Sequence, residues 1–118
     1  MKENKLADIS MNFSVQIVNL VKDLKAKHES VISNQIGRSG TSIGANIHEA
    51  QYAQGTKDFI SKLEIALKEV FETEYWLELL FETGYIGEQT YKPIQNSCGA
   101  VRRMLISSIN TMKEKTID

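Results

Sequence analysis

Residues 37–50 read GRSGTSIGANIHEA, and the glycines at 37, 40 and 44 admit two interpretations. They form either a phosphate-cradling loop or a helix with one side stripped for close packing. A P-loop places four residues between its glycines and then Lys and Ser/Thr. Here the spacing is Gly-x-x-Gly-x-x-x-Gly, and Ala45 and Asn46 follow the last glycine. No strand-like run precedes it, so a dinucleotide fingerprint fails for the same reasons. A helix accommodates the pattern. Gly37, Gly40 and Gly44 step by three and four onto one face, and Ile36, Ile43, Ile47 and Ala50 occupy an adjacent one. Three interior glycines cost a helix about 3 kcal/mol relative to alanine. Close approach of another backbone, with the dispersion contacts it gains, offsets that cost. The approaching helix belongs either to the same chain or to a second copy.

The same spacing extends on both sides. Leu6, Ile9, Phe13, Ile17, Leu20 and Leu24 form one amphipathic stripe. Met11, Val15 and Val18 form a second beside it, more apolar surface than a single seam needs. That excess fits a broad core face or a further partner, such as another subunit. In KHES, residues 27–30, Glu29 and Ser30 offer capping groups for a helix starting near Val31. Gly55 suits a helix C-terminus, and Thr56 an N-cap with Asp58 in the first turn. Residues 57–83 contain no Gly or Pro, and Phe59, Leu63, Leu67, Val70, Leu77 and Phe81 line their seam. Glu74 falls in that seam too. After Gly84, the positions Tyr91, Ile94, Cys98, Val101, Leu105, Ile109 and Met112 repeat at three and four. Pro93 lies near the start of that helix, where a lost N–H costs least. The expected fold is all-α: one domain over 1–118, with helices at about 6–27, 31–53, 57–83 and 88–114. Short connections make it an up-down-up-down antiparallel four-helix bundle.

Composition agrees with one globular domain. The chain has 118 residues, 42% hydrophobic and 25% charged. Its single cysteine rules out an intrachain disulfide, in keeping with a reducing cytoplasm. No apolar run reaches the ~18 residues of a membrane span, and the first ten residues, MKENKLADIS, lack an apolar signal core. The net charge is −1. Residues 1–56 carry six Lys/Arg against five Asp/Glu, 57–87 three against seven, and 88–118 five against three. A dedicated nucleic-acid domain is usually strongly basic, so only a local basic patch remains open.

The string Arg-Ser-x-x-Ser-Ile-x-x-Asn-Ile-x-Glu is specific. It comprises Arg38, Ser39, Ser42, Ile43, Asn46, Ile47 and Glu49. With KDFISKLEIALKEVFETEYWLELLFETGYI at 57–86, it resembles the four-helix bundle protein family, also called the 23S rRNA intervening-sequence proteins. The matching stretch is about 32–87. His48 stands where the family often has alanine, and Ala50 where it often has glycine. The resemblance implies a cytoplasmic up-down bundle, a ring-like homopentamer and no established enzymatic activity. The accessory proteins of diversity-generating retroelements, a related group, bind nucleic acid and a reverse transcriptase. They are strongly basic, and this chain departs from them.

The polar residues carry definite expectations. In an antiparallel pair turning near residue 55, Arg38 lies level with Glu72 and within a turn of Glu69 and Glu74. Arg38 should form a partly buried ion pair with one of these carboxylates, and Glu74 in the apolar seam needs such a partner, because an unpaired buried carboxylate is costly. The functional alternative is that Arg38 binds an RNA phosphate. Ser39, Ser42 and Asn46 are expected to hydrogen-bond between helices, and Glu49 to pair with Lys62 or stay solvated. His48 reads as a surface or interface residue, and Cys98 as a buried small hydrophobe. Trp76, Tyr75 and Tyr52 read as core or interface aromatics, or as stacking residues for bases. Arg102, Arg103, Lys113 and Lys115 make the fourth helix the best candidate nucleic-acid face. No Glu-x-x-His occurs, and His28 and His48 are the only histidines, so no metal site is expected. The expected function is that of a non-enzymatic, cytoplasmic scaffold or adaptor. It needs no cofactor or small-molecule substrate and has its own copies as partner, possible RNA or nucleoprotein contacts being the alternative.

Overall fold

Asn4 starts the first helix: its side-chain oxygen accepts a hydrogen bond from the Ala7 N–H at 3.0 Å, satisfying one orphan donor. The computed structural model describes residues 4–115. Among them are four helices and no strand: α1 (Lys5–Ala26), α2 (Val31–Ala50), α3 (Thr56–Glu82) and α4 (Glu88–Lys115). α2 stops at Ala50, short of the expected Ala53. Thr56 lies inside α3 instead of capping it. Gly55, fully extended, takes the cap position, and the Asp58 carboxylate accepts from the Gln54 N–H at 3.3 Å. Pro93 is the sixth residue of α4, past the first turn, where it leaves the fourth-preceding carbonyl without its helical donor.

The turn after α1 reverses the chain at His28, whose φ is +64°, and the Glu29 N–H returns to the Leu24 carbonyl at 2.9 Å. Ser30 makes no side-chain cap. Glu29 does the capping: its carboxylate oxygens accept from the Ile32 N–H at 3.0 Å and the Ser33 N–H at 2.7 Å. These two charge-assisted bonds account for a carboxylate that is only 6% exposed. α3 ends on Gly84 at φ +80°, beyond which the Tyr85 N–H reaches back to the Leu80 carbonyl at 3.0 Å.

The glycines of α2 face α1 of the same chain. A Cβ built on Gly40 would stand 2.8 Å from Ile17 Cγ2, one on Gly44 2.7 Å from Ser14 Oγ, and one on Gly37 3.3 Å from Val21 Cγ2. Each helix packs on its sequence neighbours, and α1 closes the square against α4; α1 and α3, like α2 and α4, stand at opposite corners. The interior is filled by Phe13, Ile17, Leu24, Ile36, Ile43, Leu63, Leu77 and Leu105, each essentially solvent-free. Full burial of such a side chain contributes ~1.5–3 kcal/mol, which makes this layer the main stabilising term. Residue numbers fall along one partner as they rise along the other. Ile17 meets Gly40, Ser14 meets Gly44, Arg38 meets Glu72, Ser39 meets Thr73, Lys62 meets Glu49, and Lys113 meets Glu64.

Candidate functional site

Consecutive residues on a helix point about 100° apart, so Arg38 and Ser39 reach different depths of the α2–α3 seam. Ser39 is fully buried, and its hydroxyl lies 2.9 Å from that of Thr73, also fully buried. The Thr73 hydroxyl also reaches the Glu69 carbonyl at 2.8 Å. A hydroxyl carries one proton, so both bonds are made when Ser39 donates to Thr73 and Thr73 donates to the carbonyl. Arg38, one position earlier, lies at the rim with its side chain 52% exposed. Its guanidinium pairs with Glu72 and reaches Glu69 at 3.5 Å. The same Glu72 oxygen accepts from the Trp76 indole N–H at 2.9 Å. Arg38, Glu69, Glu72 and Trp76 thus form one network over the buried Ser39–Thr73 pair. Thr73 and Trp76 were not expected to have these roles. Thr73 stands in the α3 seam at Val70 + 3, and that spacing was the available signal.

Glu74 does not join Arg38. Two residues past Glu72, it points about 200° further round the helix, toward α4. There it faces Arg102 Nε at 3.6 Å, an ion-pair distance slightly too long for a hydrogen bond. Cys98 lies beneath this pair with no exposure. Burial first, and then the Glu74 charge, push its thiol up to about 12 from the ordinary 9.0, with Arg102 opposing. The thiol therefore stays protonated and is a poor nucleophile. Tyr91 stacks on Phe81 at 4.5 Å across α3 and α4. Its phenol is also raised, by burial and then by Glu78, Glu82 and Glu74.

Two other motif residues turn inward on their own helix. The Asn46 amide donates to the Ser42 carbonyl at 2.9 Å and to the Ser42 hydroxyl at 3.2 Å, both within α2, so neither residue bonds another helix there. Both sit on the half-buried flank, four residues apart, and satisfy each other. Glu49 pairs with Lys62 at 3.4 Å. His48 is exposed, its ring 5.5 Å from that of Tyr52. Near it, Ala7, Ser14, Gly44 and Ala45 leave a groove of about 520 Å³ between α1 and α2. Met11, Thr41, Ile47, His48 and Glu49 also line it. The Ser14 hydroxyl donates to the Ser10 carbonyl at 3.0 Å, and the Glu49 carboxylate is turned to Lys62.

Two of the four cations of the candidate nucleic-acid face on α4 lie beside carboxylates. Arg102 is engaged with Glu74, and Lys113 pairs with Glu64 at 2.8 Å. Arg103 and Lys115 are exposed, but twelve residues of helix set them about 120° apart. The aromatics do not form one platform either. Tyr75 packs edge-on against Trp76 at 5.0 Å, whereas Tyr52 lies beyond the far end of α2, about 25 Å along the bundle. Among the described residues, no three His, Cys, Asp or Glu side chains are grouped to hold a metal ion, and no helix is long and apolar enough to cross a membrane.

The sequence profile of one family, the 23S rRNA-intervening sequence proteins, matches residues 2–107. Among solved structures, the chain is similar to a protein of unknown function from the S23 ribosomal protein family of Bacteroides thetaiotaomicron. The two share 55% identity over 88% of this chain and 97% of that one, with a TM-score of 0.86. No curated protein matches the chain.

Proposed function

Because the chain belongs to the 23S rRNA-intervening sequence protein family, we propose that it acts without catalysis, as an up-down-up-down antiparallel bundle that assembles into a ring of identical copies. The ring serves as a cytoplasmic scaffold or adaptor. The antiparallel topology is supported by the falling register of the paired residues, from Ile17–Gly40 through Arg38–Glu72 to Glu64–Lys113. Subunit number five rests on the resemblance of the Arg38–Glu49 string. One observation carries the assembly reading: α1 fills the core with Phe13, Ile17, Leu20 and Leu24, yet leaves Met11 64%, Val15 52% and Val18 43% exposed. Side chains of this size, aligned at i, i+4 and i+7, mark an interaction surface. The polar groups support a non-enzymatic role, because Arg38, Ser39 and Arg102 are engaged by Glu72, Thr73 and Glu74 across helix pairs. Light scattering over a concentration series tests it. A mass of five chains is expected, and a monomer at every concentration refutes it.

A second reading makes the assembled ring an accessory protein for RNA or nucleoprotein. It is favoured by the excess of two positive charges over residues 88–118 and by the exposure of Arg103 and Lys115. Binding to structured RNA should then fall steeply with salt. No binding at low salt eliminates this reading and leaves the scaffold.

A further inference from the structure

We propose that Arg102 and Arg103 of α4 form a clamp for a single phosphate-class oxyanion, seated over Gly99. The site rests on neither reading above and is carried by where the two guanidiniums end. Side chains on a helix lean toward its N-terminus, so residues 102 and 103 both reach back over the turn that holds residue 99, from opposite flanks. A Cβ built on Gly99 would stand 3.4 Å from Arg102 Nη2 and 3.2 Å from Arg103 Nη1. The ends of two adjacent arginines thus converge on one point, and Gly99 is buried beneath them. Any larger residue at that position would place its own atoms in the seat.

Two positive charges this close repel each other, and only one has a counter-charge. The Glu74 carboxylate lies 3.6 Å from Arg102 Nε. That distance gives attraction without a hydrogen bond, and Nε stays buried with no hydrogen-bond partner. Nε and Nη2 form one edge of the guanidinium, the fork that holds an oxyanion with two parallel N–H groups. Arg103 is exposed, and among the described residues no carboxylate lies within ion-pair distance of it, Glu78 one turn beyond Glu74 included. Buried polar atoms without a partner are few in native proteins, and an ion is one way to satisfy them. An oxyanion over Gly99 takes N–H groups from both forks, offsets the charge left over after Glu74, and supplies the acceptor that the Arg102 edge lacks. Phosphate fits because its oxygens diverge from one centre and meet two forks arriving from different sides, whereas a planar carboxylate matches one fork. A single clamp holds one phosphate and is not a track for an RNA backbone.

The test titrates the whole chain with inorganic phosphate, against sodium chloride of equal ionic strength, and follows the residue-99 amide and the Arg102 Nε–H by nuclear magnetic resonance. Both signals should shift saturably with phosphate and not with chloride. Gly99→Ala and Arg103→Lys keep the net charge. The first puts a methyl group in the seat, against flexible side-chain ends that give way; the second removes one fork from an exposed position and serves even if the first disturbs the fold, which circular dichroism checks. Each should weaken phosphate roughly tenfold, the scale of one lost charge-assisted hydrogen bond, while Lys115→Gln should leave it unchanged. Competition identifies the source: displacement by a nucleoside monophosphate supports the clamp with a terminal phosphate as occupant, and displacement by an RNA oligonucleotide without one supports it with a backbone phosphate. Signals that follow ionic strength alone, or charge-conserving variants that bind phosphate as the wild type does, would overturn the clamp.

Discussion

Replacing Gly40 with alanine tests why α2 tolerates its glycines. Helix propensity alone favours the change by about 1 kcal/mol. The packing opposes it. The new Cβ would lie 2.8 Å from Cγ2, 2.9 Å from Cγ1 and 3.2 Å from Cδ1 of Ile17. Ile17 has no exposure, and a β-branched side chain in a helix has essentially one χ1 rotamer. It cannot swing aside, so the two helices must separate locally. Overpacking of this kind costs about 1–3 kcal/mol, and three sub-3.3 Å contacts place this site at the upper end. The net expectation is destabilisation by about 1–2 kcal/mol, or a fall in the urea midpoint of about 0.5–1 M with unchanged m-value. The assay is equilibrium unfolding at one fixed protein concentration, since the proposed assembly of copies would add to apparent stability. Gly37→Ala is the control: its Cβ meets only Val21 Cγ2 at 3.3 Å, so the propensity gain should leave stability unchanged or slightly raised. If Gly40→Ala proves as stable as wild type, α1 is not held against α2 by the missing Cβ, and the reasoning fails.

Other substitutions probe the polar groups. Glu29→Ala strips the acceptor from the Ile32 and Ser33 N–H groups, the latter buried, and should lower stability by about 1–2 kcal/mol in the same urea assay. Arg38→Ala removes a half-exposed pair and should cost only ~0.5–1 kcal/mol, shrinking further in high salt; a loss several times larger would mean the network is more deeply coupled than its exposure implies. Glu72→Ala deprives the Trp76 indole of its acceptor, so tryptophan emission should shift while the helical spectrum persists. Cys98 should resist a thiol reagent at pH 8 in the native protein and react at the ordinary rate once unfolded. Its folded pKa is raised to about 12, so between pH 9 and 12 the unfolded chain binds fewer protons and stability falls as pH rises, an alkaline dependence that Cys98→Ala should lessen.

The helices were legible because their apolar positions recur at three and four, and Arg38–Glu72 was legible because one turn position fixes the register of an antiparallel pair. What escaped required knowing where each side chain points. Arg38 was expected to pair with Glu69, Glu72 or Glu74 and takes the first two; level along α3 could not set Glu74 apart, because it says nothing of the 200° turn that aims it at Arg102. Asn46 reads as a helix-to-helix group by type, but four residues from Ser42 it finds a nearer partner on its own helix. Glu29 outcompeted Ser30 as cap because its longer side chain reaches two amides from one position earlier. The basic face of α4 was counted as charges in sequence, and two of those charges are spent on Glu74 and Glu64. The α2 glycines were read as a close-packing face; that their partner is α1 of the same chain needed the coordinates.

That allocation of charge constrains any encounter with RNA. A phosphate gains most from a cation without a carboxylate beside it, because an existing ion pair must first be broken or shared. Arg38, Arg102 and Lys113 all face carboxylates within this chain. Arg103 and Lys115 point in directions too far apart to follow one backbone on a single bundle. An RNA footprint would therefore have to draw residues from neighbouring copies. On the assembly reading proposed above, a variant that releases monomers should also lose RNA. Monomeric variants that bound as tightly as the ring would place the phosphate contacts within one bundle, on cations the fold already pairs, and would require the internal ion pairs to open.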